Sequence, residues 1–336
     1  MDQSLLDQYN AVRQSAGFLD LGPRRKIQVT GADHVQFLHA MITNDVQELP
    51  SLQGRYGALL RPTGKLVADF YYYRFPDHVL IDIAPSLSSA LLETLQKFII
   101  MDEVYLEDVS DAWEHISVQG PRSGELLRAI LNTTGSEAHL AITQVVWRGQ
   151  TCWLITKAHL ADQGFEVLAS PGVADSLREE LLRGRPDIHV TQVGDKAEEI
   201  LRLERGIPLF GVDMTENNNP VEAGLDDAIS LDKGCYVGQE VISKATYVGG
   251  VGRHLCQLLI ETDTPIEKGA EVSTDDGQVI GLITSAAFSP SFDQTVALGY
   301  LKRDNAREEA RHWVAVAGDR TAARVLRRAG RLMRES

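Results

Sequence analysis

The chain has 336 residues, 43% hydrophobic and 24% charged, and 33 Lys and Arg against 47 Asp and Glu give a formal net charge of −14 at pH 7. That length allows two or three domains with substantial cores, and the acidic balance argues against direct nucleic-acid binding by the whole chain, since phosphate contacts need clustered Lys and Arg. No apolar run approaches the roughly 18 residues of a membrane span, and the opening MDQSLLDQYNAVRQSAG lacks the basic and apolar regions of a leader, so the expected compartment is the cytoplasm.

RKIQVTG (25–31) reads as a strand and ADHVQFLHAMITNDV as a helix, with Val35, Leu38, Met41, Ile42 and Val46 at helical spacing. RYGALLRPTGKLVADFYYYRF reads as a hairpin turning at Arg61-Pro62-Thr63-Gly64. HVLIDIA is a further strand, SLSSALLETLQKFII a helix opened by a Ser cap, and EVYLEDV a closing strand. The order then recurs. EHISVQG is a strand and PRSGELLRAILNTTG a helix running from Pro to Gly. TQVVWRG, TCWLITKA and FEVLAS are strands, GVADSLREELLRGRP is a helix and DIHVTQV a last strand. Two such α+β units suggest ferredoxin-like halves. After AEEILRLERGIPLFG comes the polar, loop-like stretch VDMTENNNPVEAGLDDAISLDKG. From about residue 250 short strands and turns suggest a small antiparallel barrel or sandwich. The expected divisions are 1–110, 111–249 and 250–336. The basic end DRTAARVLRRAGRLMRES carries Arg320, Arg324, Arg327, Arg328, Arg331 and Arg334. It reads as a solvated last strand with a basic tail, or alternatively as a docking patch.

Most catalytic signatures are missing. GALLRPTGKL has six residues between its glycines and no Ser or Thr after the lysine, so it is no P-loop. GGVGR (249–253) lacks dinucleotide spacing. The nine histidines form no HExxH and no His/Cys cluster, and no GxSxG elbow occurs, so no metal ligands are assigned. Cys152 and Cys256 lie in strand-like runs and read as small core residues.

Two carboxylates and a thiol remain. Asp69 sits in the alternating strand LVADFYYYR, where an acid faces either solvent or a cavity, solvent being the commoner case. Glu204, near the end of the helix that includes Ile200 and Leu203, reads by itself as a surface residue paired with Arg202 or Arg205. Cys235 lies in LDKGCYVGQE among glycines and charges. A short helix over 238–247 would put it just before the first turn, with Lys233 two residues away, and both features favour a thiolate. Glycines on either side would let another molecule approach closely.

KGCYVGQE, formed by Lys233, Gly234, Cys235, Tyr236, Val237, Gly238, Gln239 and Glu240, resembles the signature of YgfZ-type folate-binding proteins, relatives of the glycine-cleavage T-protein (aminomethyltransferase). FLHAMITNDVQEL, LLRPTGKLVADFYYYR, LRLERGIPLFGVDM and GQVIGLITSAAFSPSFDQTVALGYL are similar to further T-protein blocks. The resemblance implies a cloverleaf of two T-protein-like units and a C-terminal β-barrel around a central hole that holds tetrahydrofolate or a one-carbon derivative. It implies pterin recognition by Glu204, whose carboxylate can accept from a neighbouring N–H and NH₂. Asp69 would lie near the folate nitrogens, and Arg253 would meet the folate's glutamate tail. The cysteine motif implies an accessory role toward iron–sulfur cluster assembly or repair and tRNA-modifying iron–sulfur enzymes. Cys235 would be the reactive thiol, folate and iron–sulfur client or assembly proteins the partners, and a monomer the working form. Folate-dependent aminomethyl transfer, with Asp69 in the chemistry, is the alternative.

Overall fold

The computed structural model describes residues 2–248 and 250–330. The chain divides into two compact units, 1–57 with 69–198, and 58–68 with 199–336.

The first unit opens with α1 (Gln3–Gln14), whose cap Asp2 accepts the Leu5 amide at 2.8 Å, and β1 (Ala16–Asp20). The sequence pattern missed both. They are followed by β2 (Arg25–Thr30), α2 (His34–Met41), β3 (Gln53–Leu60), β4 (Leu66–Arg74), β5 (Val79–Ile83), α3 (Pro85–Phe98) and β6 (Tyr105–Asp108). The strands form a five-stranded sheet in the order β3-β4-β5-β2-β6. Helix α3 starts at Pro85, with Ala84 rather than a serine at its cap. Proline's fixed φ and missing N–H suit the first helical position without a side-chain cap. Leu87, Leu91 and Leu95, one turn apart, are its buried face.

The second half of this unit holds β7 (Glu114–Gln119), α4 (Ser123–Leu131), β8 (Ile142–Trp147), β9 (Gln150–Thr156), β10 (Gly164–Ala169), α5 (Pro171–Arg183) and β11 (Val190–Gln192). Its sheet has six strands, β11-β1-β7-β10-β9-β8, because β1 pairs antiparallel with β7 and parallel with β11. Helix α4 ends at Asn132, in the left-handed conformation at φ 54°, and not at Gly135. Asparagine tolerates that conformation, so the helix stops three residues before the expected glycine. Its core joins Phe18, Ile116, Val118, Leu126, Leu154 and Leu177, and includes Cys152. The two sheets share a second apolar cluster, in which Tyr73, Phe75 and Leu80 meet Ile142, Ile155 and Leu168.

Helix α6 (Asp195–Arg205) runs from the first unit into the second, which adds the short α7 (Gln239–Ser243). Then come β12 (Arg253–Ile260), β13 (Glu271–Ser273), β14 (Val279–Ser289), β15 (Gln294–Lys302), β16 (Arg311–Val316) and β17 (Asp319–Arg328). These six strands close into an antiparallel barrel, β12-β15-β14-β13-β16-β17, filled by Leu258, Ile260, Val272, Ile283, Val314 and Val325, with Cys256 among them. The barrel reading therefore holds over the sandwich. Closure leaves no edge strand in this sheet.

The basic C-terminal segment is largely drawn into this barrel. Arg327 donates to Gln257 and to the Arg205 carbonyl, Arg324 pairs with Glu309, and Arg320 lies over Trp313. Arg331 and Arg334 lie outside the described residues.

Candidate functional site

In the first unit, Asp69 is the fourth residue of β4. Leu66, Ala68, Phe70 and Tyr72 alternate with it toward a fully buried face. Its own face is covered as well. Asp69 is half-buried, and the Tyr56 hydroxyl on β3 donates to its Oδ2 at 2.7 Å. The open-solvent placement expected from the strand pattern is therefore wrong, because neighbouring tyrosines cover the polar face. Burial pushes the Asp69 carboxyl above its ordinary value, against the opposing pull of the Tyr56 hydrogen bond and the Arg24 charge. Tyr56 packs on Tyr71, two residues along β4, with ring centroids 4.9 Å apart.

Beside these rings lies a buried ionic group that no sequence motif announced. Arg24 and Lys26 each approach Asp82 at 2.8 Å. His115 Nε2 lies 2.9 Å from Glu166, and Lys157 Nζ lies 3.0 Å from it. Burial alone would raise both carboxyls. The charges of Arg24 and Lys26 outweigh it and hold Asp82 well below the carboxylate range, and Lys157 and His115 do the same for Glu166. The residues come from β2 and the segment before it, β5, β7, the position just after β9, and β10, so only the folded pairing of strands assembles them. Strand alternation could at most have marked Asp82 and Glu166 as acids inside apolar runs.

In the second unit, Glu204 belongs to the last turn of α6 and is buried, 9% exposed, where an isolated reading expected a surface acid. Of the two arginines expected beside it, Arg202 binds Glu199 and the buried Asp213. The Ser289 hydroxyl, at the end of β14, donates to Glu204 Oε1 at 2.5 Å. The end of α6 is clamped onto the barrel. Gln257 Nε2 donates to the Leu203 and Glu204 carbonyls at 2.6 and 2.8 Å, and Leu203 packs against Leu255, Val296 and Leu298. Carbonyls in a last helical turn have no intrahelical donor, and the barrel supplies one. The Glu204 carboxylate is thus held at a fixed place by rigid elements.

Arg253 starts β12, exposed, with its guanidinium over the Tyr300 ring at 4.6 Å and 3.6 Å from Glu222.

Cys235 is the exposed thiol; Cys152 and Cys256 are buried as expected, and burial pushes their thiols up to about 11 and about 12. The helix after Cys235 is shorter than expected. Helix α7 covers Gln239–Ser243, is capped by Gly238 and passes into a π-helical turn at Lys244–Val248. Cys235 therefore stands outside the cap, beyond Tyr236 and Val237. Lys233 is buried, and its ammonium faces the Tyr236 ring at 5.2 Å. The Tyr236 carbonyl accepts the Gln239 amide, while Glu240 pairs with Lys244 on the surface.

Two glycines fix this loop on the β3–β4 turn. Gly238 has φ 84°, and a Cβ there would lie 2.7 Å from the Arg61 carbonyl oxygen. Gly64 has φ 72°, and a Cβ there would lie 2.6 Å from Val241. In Gly238 the missing side chain serves the chain's own packing rather than the approach of another molecule. Of the residues that the sequence singled out, Asp69 belongs to the first unit, and Glu204, Arg253 and the Lys233–Glu240 loop to the second.

Comparison with known proteins gives a consistent result. A GCVT N-terminal domain matches residues 1–233, and a glycine cleavage T-protein C-terminal barrel domain matches residues 253–329. An aminomethyltransferase of Desulfitobacterium hafniense is 27% identical over 333 residues, 96% of this chain and 88% of the relative. Another, from Caldanaerobacter subterraneus subsp. tengcongensis, is 27% identical over 305 residues, 89% of this chain and 80% of that one. The crystal structure of the glycine cleavage system aminomethyltransferase T from Bartonella henselae superposes with a TM-score of 0.85 at 27% identity, covering 96% of this chain and 88% of the other.

Proposed function

We propose a function on one premise: this chain belongs to the glycine-cleavage T-protein family and has its α+β fold with a closed C-terminal barrel. We infer that it binds tetrahydrofolate or a one-carbon derivative, and that it acts in the YgfZ manner, as a cytoplasmic accessory protein to iron–sulfur assembly and to iron–sulfur enzymes that modify tRNA. The donor set suits the ligand. A pterin offers an N–H and an NH₂ side by side, and Glu204 is a buried carboxylate with one oxygen oriented by Ser289. Asp69 is a carboxyl able to hold or accept a proton under a tyrosine donor. Arg253 would meet the glutamate tail. When bound, tetrahydrofolate supplies nitrogens that carry a one-carbon unit.

The accessory reading is carried by Cys235, the exposed cysteine of the three, on a loop seated by Gly64 and Gly238. An exposed thiol in a built loop suits exchange with, or transient contact to, a client. A lone thiolate does not hold a cluster, which needs several. The comparisons support a second reading, aminomethyl transfer to folate, better than the accessory one, since the relatives are named aminomethyltransferases, and the half-buried Asp69 is compatible with it.

Anaerobic calorimetric titration with tetrahydrofolate tests the common part. Saturable binding by the wild type, lost in Glu204→Ala and kept in Cys235→Ser, is expected. No binding by folded wild-type protein would overturn it. Cells lacking the protein should recover iron–sulfur enzyme activity with the wild type and not with Cys235→Ser; full recovery with the variant sinks the thiol role. Ammonia release from an aminomethylated lipoyl carrier, abolished in Asp69→Asn and untouched by Cys235→Ser, would instead establish the second reading.

A further inference from the structure

The buried ionic group of the first unit is larger than packing requires. Burying an ammonium is costly, and an apolar side chain of similar volume fills the same space more cheaply. Lys157 is nevertheless buried just after β9. Its main chain is pinned on both sides: the amide donates to the Gly164 carbonyl at 3.0 Å, and its carbonyl accepts Gln119 Nε2 at 2.9 Å. The ammonium is held by both oxygens of Glu166, at 3.0 and 3.1 Å, and Glu166 is itself fixed by His115. From that anchor the ammonium lies 3.5 Å from the centroid of Tyr71, a close cation–π contact. Tyr71 packs on Tyr56, and the Tyr56 hydroxyl donates to Asp69 Oδ2 at 2.7 Å.

We propose that Lys157 is a positioning residue for Asp69, acting through the ring of Tyr71 and the hydroxyl of Tyr56. Glu166 anchors the lysine, the lysine sets the plane of Tyr71, and the two rings, packed at an interplanar angle of 35°, aim one hydroxyl at one carboxyl oxygen. The proposal rests on the reading in which Asp69 serves the folate site. The groups facing Asp69 are Tyr56 from β3, Tyr71 from its own strand and Arg24 from the segment before β2. Those facing Lys157 are Glu166 from β10, Asp82 from β5, His159 from the loop after β9, Arg24 and Tyr71.

The Tyr56 hydrogen bond lowers the pKa of Asp69, so loosening it must raise that pKa. The measurement is a carboxyl ¹³C NMR titration of Asp69, assigned with Asp69→Asn. Lys157→Met should raise the midpoint by about half to one pH unit, the size of one hydrogen bond. Lys157→Arg, which keeps the charge over the ring, should restore it. Tyr56→Phe should raise it alone, and adding Lys157→Met to Tyr56→Phe should shift it no further.

A folded Lys157→Met protein with the wild-type midpoint overturns the proposal. An equal extra shift in the double variant also does, since the charge would then act directly. Folding is checked by continued protection of the Cys152 thiol. Should Lys157→Met not fold, Tyr71→Leu removes the ring while leaving the Lys157–Glu166 pair, and the same rise is expected; no rise overturns the idea. The titration needs no folate, so a wild type that binds none would sink the folate reading and leave this result standing.

Discussion

His159 shows how far a residue's role can lie outside its sequence neighbourhood. It sits in the loop after β9, partly buried, 3.8 Å from Glu166. Burial pushes its imidazole down to about 4, with Glu166 pulling up and Lys157 pushing further down. Between pH 6.5 and 4 the unfolded chain therefore binds a proton that the folded protein refuses, and stability falls as pH falls through that window, by roughly 3 kcal/mol at most. Asp82 and Glu166 have depressed pKa values. Their contribution is fully present above about pH 4 and is lost only as pH falls further toward their folded values. Asp69 has the opposite sign, since its raised pKa favours the fold at low pH and offsets part of the His159 loss. Urea midpoints at pH 7 and pH 5 should differ in the wild type and converge in His159→Gln. An unchanged difference would show that another group sets the acid sensitivity. Glu204 teaches the same lesson of distance. Its helix and its neighbour Leu203 were legible locally, but Ser289 stands 85 residues away and no local pattern ties the two.

At the level of elements, the hairpin β3–β4 was readable because Pro62 and Gly64 stand where a tight turn needs them. The cysteine loop was readable for its residue types. What neither stretch revealed is that the two turns pack on each other through Gly64 and Gly238, each at positive φ. Adding a Cβ at Gly238 meets both the left-handed backbone penalty and the Arg61 carbonyl. Gly238→Ala should cost about 1–3 kcal/mol and release the loop. The expected signs are a lower melting temperature and a changed rate of Cys235 modification by a thiol reagent. A variant matching the wild type in both would mean the loop is held elsewhere. The barrel was legible for a different reason: short strands separated by regular turns leave few architectures. β1 was not legible. Ala-Gly-Phe-Leu-Asp is short and lacks the β-branched run and the alternation that mark a strand, and its place is set by pairing with β7 and β11 far along the chain.

Across the whole molecule, the division into two units passes through continuous elements, cutting β3 between residues 57 and 58, β4 between 68 and 69, and α6 between 198 and 199. A strand or helix loses hydrogen bonds when half of it unravels, so opening one unit frays elements that the other needs. The three cysteines make this measurable without added probes. Cys152 lies in the core of the six-stranded sheet, Cys256 in the barrel core, and Cys235 on the surface. In native protein one thiol should react quickly with a thiol reagent while the other two stay protected, both by burial and by thiols pushed up to about 11 and about 12. Pulse labelling across a guanidinium series, read by peptide mass spectrometry, should expose Cys152 and Cys256 at the same midpoint. Separate midpoints would show that the shared strands and helix can fray without transmitting the loss, and that each core is stable on its own.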